Sequence, residues 1–282
     1  MKTTSSFPDT PLDAVREYWN SRPCNIRHSP KPVGTREYFD EVEARKYMVE
    51  FHIPAFADFA RWKGKKVLEI GCGIGTDTMN FARAGAQVTA VDLTEKSLEV
   101  ARQRAKVFGL DDKITFYQAN AEKLSETVPV QEYDLVYSFG VIHHTPHPEN
   151  VLEEIRKHYL KPDSTVKIMV YNRWSWKVLW ILFVYGKGQF WKLNRLVADY
   201  SEAQTGCPVT YSYSRTSGTQ LLEDHGLRVT DVMVDHIFAF EIPEYVQYRY
   251  KKVWYYRWMP KFLFRALERA FGWHLCLTAT PR

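Results

Sequence analysis

Three glycines at alternate positions, Gly71, Gly73 and Gly75, follow an apolar run at 67–70, and an acid, Asp92, ends a second apolar run at 87–92. Glycine lacks the Cβ that holds a backbone away from a ligand. An acid about 20 residues beyond such a turn is where nucleotide-binding folds meet ribose hydroxyls. A third group, His143-His144, follows the run 133–138. Imidazole titrates near neutrality, so either ring would take a proton from a hydroxyl, amine or thiol. Together these residue types support binding of a nucleoside-like ligand with proton transfer beside it.

Such groups need rigid elements that end at a common place. Strands are expected at 67–70, 87–92, 114–117, 133–138 and 166–170, alternating with helices at 77–84, 95–108 and 149–159. Gly85 and Gly109 close the first two of these helices, Thr94 is placed to cap the second, and 161–164 reads as a turn into the fifth strand. Alternation of this kind builds a parallel sheet with helices on both faces, and its ligand cleft lies at the carboxyl ends of the strands. Two later runs, 228–234 and 275–280, complete an α/β, Rossmann-like, doubly wound, seven-stranded and mostly parallel sheet.

The motifs VLEIGCGIGTDT, VDLTEKSLEVAR and YDLVYSFGVIHHT occur in that order. They resemble the class I S-adenosylmethionine-dependent methyltransferases, in the branch that contains the ubiquinone and menaquinone biosynthesis methyltransferases. The resemblance implies S-adenosylmethionine as cofactor and a cofactor shell of Glu69, Gly71, Cys72, Gly73, Asp92, Leu93, Asn120, Ala121 and Phe139, with Leu93 and Phe139 flanking the adenine. A dinucleotide fingerprint would read G-x-G-x-x-G, whereas Gly75 is followed by Thr76-Asp77-Thr78. The sequence departs from the family where Asn120 replaces the usual Asp, keeping an amide oxygen to accept from the adenine amino group. Arg45 has the paired donors to reach the cofactor's carboxylate, and an ordinary salt bridge is the other reading of it.

Methyl transfer from a sulfonium asks an enzyme chiefly to hold donor and acceptor in line and to exclude water, so no metal is expected. His144 and Tyr171 are the candidate catalytic residues; Tyr18, Arg173, Tyr211 and Tyr213 are the candidate acceptor-binding residues. Four segments follow: a helical and loop lid over 1–64, a cofactor-binding core over 65–170, a cap insertion over 171–227, and terminal core strands with an aromatic and basic helical insertion over 228–282. Residues 1–11 read as a disordered lead. In 245–258, basic residues alternate with aromatics. The plainest reading packs the aromatics inward, while nucleic-acid or membrane-surface contact are the alternatives.

A net charge of +5, from 38 basic and 33 acidic residues, is too mild to demand nucleic acid. Cys24, Cys72, Cys207 and Cys276 are widely spaced, with no zinc pattern, and the first residues lack a signal-peptide core, so a cytoplasmic protein is expected. The function expected is methylation of a small-molecule acceptor, its nucleophilic atom open, in a closed aromatic pocket. The same cofactor motifs would serve a cyclase or lyase releasing methylthioadenosine, or a methyltransferase acting on a lipid-like quinone precursor at a membrane surface.

Overall fold

The run Lys66–Ile70 (β1) is buried at every position except its first, as a strand covered by helices on both faces must be. Alternate side chains serve two separate cores: Val67 joins Met79, Phe81 and Leu98 on one face, and Leu68 and Ile70 join Val151, Leu152 and Ile155 on the other. The computed structural model describes residues 7–201 and 206–282. The other strands are β2 (Gln87–Asp92), β3 (Ile114–Gln118), β4 (Tyr133–Phe139), β5 (Leu160–Tyr171), β6 (Leu227–Asp235) and β7 (His274–Pro281). They form one seven-stranded sheet in the order β3-β2-β1-β4-β5-β7-β6. Strands β1 to β5 pair in parallel, and β7 runs antiparallel between β5 and β6.

Helices α1 (Leu12–Ser21), α2 (Arg36–Val49) and α3 (Ile53–Ala57) precede the sheet. Helices α4 (Thr76–Arg83), α5 (Glu95–Phe108) and α6 (Pro148–His158) connect its parallel strands. Between β5 and β6 lie α7 (Trp176–Val184), α8 (Leu193–Tyr200) and α9 (Arg215–Glu223); between β6 and β7 lie α10 (Ile242–Val246), α11 (Trp254–Arg257) and α12 (Lys261–Phe271). Both insertions leave the sheet side by side, because His274 pairs with Tyr171 on one edge and with Asp235 on the other. The fully buried Arg104 of α5 fastens α2 to the core, donating to Thr76 Oγ1 at 2.6 Å, to the Phe39 carbonyl at 3.2 Å and to Glu43 at 3.0 Å.

The structure corrects four expectations. Residues 1–6 of the proposed disordered lead lie outside the described residues, but Phe7 is buried, with its ring 5.3 Å from that of Tyr211. The 161–164 turn is absorbed into β5, where Ser164 Oγ donates to the Tyr133 carbonyl at 2.6 Å across a register shift in β4. Thr94 occupies the N-cap position of α5 without making the capping bond; its hydroxyl lies 2.7 Å from Asp92 Oδ1 and 2.7 Å from Ser97 Oγ instead. In 245–258 the aromatics do not all turn inward: Tyr256 is buried, whereas Trp254 is 73% and Trp258 79% exposed.

Candidate active site

The glycine turn is stitched to β2 by its own backbone. Gly71 and Cys72 N–H donate to the Val91 carbonyl at 2.7 and 2.9 Å, and Gly73 N–H donates to Asp92 Oδ2 at 2.8 Å. Gly71 has φ +79°, and a Cβ there would lie 2.1 Å from a Val141 methyl. Gly73 has φ +53°, yet a Cβ there would meet nothing within 4 Å, so this side of the turn stays open. The other Asp92 oxygen accepts from Thr94 N–H at 2.9 Å and lies 2.7 Å from its hydroxyl. Burial raises the Asp92 pKa, and these donors pull against the shift. A carboxylate offers about four acceptor positions, and the Gly73, Leu93 and Thr94 donors take up most of them.

One cavity opens where the parallel strands end. Gly71, Cys72 and Gly73 line it from β1, Asp92 and Leu93 from β2, Asn120 and Ala121 from β3, and Phe139 from β4. His144 and Tyr171 line it from the elements after β4 and at the end of β5. Leu93 and Phe139 have different neighbours: Leu93 packs in the cluster of Val15 and Trp19, while Phe139 meets the His274 ring edge-on at 5.4 Å. Asn120 Oδ1 accepts from Glu122 N–H at 3.0 Å, which fixes the amide at the cavity wall.

Glu69 lies beneath the lining, accepting from Thr78 Oγ1 at 2.5 Å. Burial, reinforced by nearby Asp77, raises its pKa. Asp77 in turn accepts from Lys46 Nζ at 2.7 Å, Tyr47 at 2.9 Å and Tyr137 at 3.0 Å. Lys46 therefore reaches the cavity with its charge already balanced.

The remaining sequence candidates stand outside the lining. Arg45 donates to the Tyr245 carbonyl at 2.5 Å and lies 3.8 Å from the Tyr245 ring and 4.6 Å from the Tyr248 ring, so it holds the second insertion against α2. Arg173 donates to Asn194 Oδ1 at 3.1 Å, and burial lowers its pKa. Tyr211 donates to the Pro146 carbonyl at 3.1 Å, and Tyr213 makes an isolated bridge with Asn172. Tyr18 contacts Trp19 edge-on at 5.1 Å, but Leu12, Val15 and Trp19 are the α1 residues that line the cavity. Their helical spacing sets that face, and Tyr18 falls off it.

The His144 ring is fixed by a backbone contact. Its Nδ1 lies 2.8 Å from the Val209 carbonyl, so this nitrogen carries the proton and Nε2 keeps the lone pair. His143 packs beneath it, its ring 3.9 Å from that of Tyr171, and burial drives its pKa well below the usual histidine value. Tyr171 is also stacked on Trp273 at 3.9 Å.

Sequence reasoning missed Lys46, Glu50 and His274 in the lining, together with His52 and His236 around His274. His52 and His274 are 222 positions apart, so no local spacing joins them. The Leu12, Val15 and Trp19 periodicity was the one legible signal for the α1 wall of the cavity.

A family profile described as methyltransferase domain matches residues 62–198. The ubiquinone biosynthesis O-methyltransferase of Vibrio cholerae is 38% identical over 110 residues, covering 39% of this chain and 43% of that protein. The protein of the same name from Photorhabdus laumondii is 36% identical over 123 residues, covering 44% and 49%. The matched segment thus spans less than half the length of these relatives. Among solved structures, magnesium protoporphyrin IX methyltransferase from Synechocystis PCC 6803, with bound S-adenosylhomocysteine, superimposes with a TM-score of 0.59 at 16% identity, covering 96% of this chain and 100% of that one. Geranyl diphosphate C-methyltransferase from Streptomyces coelicolor A3(2), in complex with Mg2+, geranyl diphosphate and S-adenosylhomocysteine, gives 0.59 at 15% identity, covering 99% of each chain.

Proposed function

We propose that this chain, whose residues 62–198 match a methyltransferase-domain profile, is a class I S-adenosylmethionine-dependent methyltransferase that methylates a small-molecule acceptor inside the cavity described above. The observation that carries this reading is the convergence of Gly73, Asp92, Asn120, His144 and Tyr171 on one cavity at the strand ends. The donor set suits the cofactor: an open glycine turn, a carboxylate with acceptor capacity for a ribose hydroxyl, and an amide at the adenine position. Bound S-adenosylmethionine would supply an electrophilic methyl group on a sulfonium.

The chain's own residues supply position and a proton acceptor. The α1 face of Leu12, Val15 and Trp19 walls the cavity from water, which holds the reacting groups together without competing hydrolysis. His144 Nε2 takes the proton of the acceptor, with its ring fixed through Val209. Buried thiols at Cys72, Cys207 and Cys276 fit a reducing cytoplasmic setting.

Mass spectrometry after incubation with S-adenosylmethionine, alone and with a metabolite extract, tests the reaction. S-adenosylhomocysteine that appears only with extract supports methyl transfer, and the metabolite heavier by one methyl group names the acceptor. Methylthioadenosine without extract would replace this reading with a cyclase or lyase.

A second observation favours an acceptor drawn from a membrane surface. The stretches 164–198 and 245–267 contain 12 of the 38 basic residues and none of the 33 acidic ones, leaving 26 basic against 33 acidic in the rest of the chain. The same stretches expose Phe183, Phe190, Trp191, Trp254, Trp258 and Phe262. Exposed aromatics beside cations suit an anionic lipid interface, although Arg195, Arg249, Lys251 and Arg265 pair with acids outside these stretches. Among the described residues no helix is long and apolar enough to cross a membrane, so the contact would be peripheral.

A further inference from the structure

We propose that Glu50, His236 and His274 form a binding site for one divalent transition-metal ion at the acceptor end of the cavity. Their potential ligand atoms all lie within 4.8 Å of one another. Glu50 follows the last residue of α2, His236 follows β6 and His274 begins β7, so three distant parts of the chain converge here. His274 Nε2 is 3.6 Å from Glu50 Oε1. Small side-chain rotations close such a span onto bonds of about 2.0–2.2 Å.

The surroundings orient the imidazoles as metal ligands are oriented. A metal-binding histidine commonly commits one ring nitrogen to a protein group and presents the other. His274 Nδ1 lies 3.0 Å from His52 Nε2, which leaves Nε2 toward Glu50. His236 is hydrogen-bonded to the Val49 backbone, and its Nδ1 is buried with no hydrogen-bond partner among the described residues. A buried unsatisfied nitrogen is costly unless something occupies its lone pair.

His236 also has φ +73°, a left-handed backbone that a histidine adopts at a cost. Neighbouring bonds hold it there: its N–H donates to Asp235 Oδ1 and its carbonyl accepts from Trp273 N–H, both at 2.7 Å. Asp235 is itself clamped by Arg265 at 2.9 Å. The strained backbone is thus braced from both sides.

Two imidazoles and one carboxylate suit zinc, iron(II), cobalt(II) or manganese(II) rather than the all-oxygen preference of magnesium or calcium. Three protein ligands leave coordination positions open, and Glu50 and His274 both line the cavity. An acceptor hydroxyl or thiol ligated there would become more acidic, and His144, which lines the same cavity, would take its proton. This catalytic consequence rests on the methyl-transfer reading; the metal site itself does not.

The test uses the full chain without a polyhistidine tag, stripped with chelator and titrated with Co2+ as a spectroscopic probe. One equivalent of Co2+ should bind with visible d–d absorption and be displaced by Zn2+. Glu50→Gln, His274→Ala and His236→Asn should each weaken binding by at least roughly 100-fold, and His52→Gln by about 10–100-fold, as loss of an orienting partner does. The His236 change uses asparagine because that residue tolerates a positive φ. His147→Ala, at a half-buried histidine elsewhere, should leave binding unchanged. Absence of d–d bands, or binding that survives in all three ligand variants, overturns the proposal. Co2+ binding is read without turnover, so its failure and a failure to form S-adenosylhomocysteine are separate results.

Discussion

His143 has both ring nitrogens buried with no hydrogen-bond partner among the described residues. Its pKa is therefore held well below 6.5 by burial. The unfolded chain binds a proton there below about pH 6.5 that the folded chain refuses, so stability is full above that pH and falls as pH drops. In His143→Phe, the loss of stability between pH 7 and pH 5 should shrink by about 2 kcal/mol, measured by urea unfolding at both pH values; an unchanged difference would mean the ring is protonated in the fold. Asp92 carries the second residue-scale prediction. Asp92→Asn removes the charge and one of the acceptors that hold Gly73 and Thr94, and S-adenosylmethionine affinity by calorimetry should fall by about 1–3 kcal/mol. Equal affinity would remove Asp92 from the site. Asp92 was legible because its spacing from the glycine turn carries a mechanism. Arg45 was misleading because chemistry alone does not reveal direction: three tyrosines of a distant insertion, Tyr245, Tyr248 and Tyr250, surround its guanidinium.

At the scale of elements, two glycines of one turn have opposite jobs. Gly71→Ala would drive its Cβ into Val141, so it should cost the fold about 1–3 kcal/mol through overpacking and lower the thermal midpoint. Gly73→Ala finds space but keeps a positive φ, costing about 1–2 kcal/mol, and should reduce cofactor affinity more than Gly71→Ala relative to its effect on stability. Comparable losses on both axes for both variants would mean that the open side of the turn is not the ligand side. Arg45→Leu should release the 242–258 region from α2, seen as faster limited proteolysis there, with cofactor affinity changed less than threefold. Protection equal to the parent would show that the rings hold the insertion without the cation. The strands and connecting helices were legible to within a few residues because buried parallel strands are continuous apolar runs and glycines end the helices. The turn at 161–164 lies inside β5 as an unpaired irregularity, because the pairings of Leu160 and Thr165 with β4 carry the strand across it.

At the scale of the molecule, composition hid an asymmetry: +5 overall conceals two cationic, aromatic stretches on an otherwise acidic chain. Their exposure depends on tertiary placement, which no spacing in the sequence reports. The variant combining Trp254→Ser, Trp258→Ser and Phe262→Ser should weaken sedimentation with phosphatidylglycerol vesicles by about 3 kcal/mol, taking roughly 1 kcal/mol for each partly inserted ring. Added salt should weaken binding of the parent chain as well. Binding that is indifferent to both changes would rule out this surface. The histidine cluster was likewise illegible, because it exists only once β7 has entered between β5 and β6. That order has a consequence for biosynthesis. Strand β6 ends at Asp235 and its sheet partner begins at His274, so a ribosome adding about 5–20 residues per second needs on the order of seconds to deliver the partner. Throughout that interval the nascent chain presents the unpaired edge of β5 and an orphaned β6, and holdase chaperones have a defined window in which to protect it.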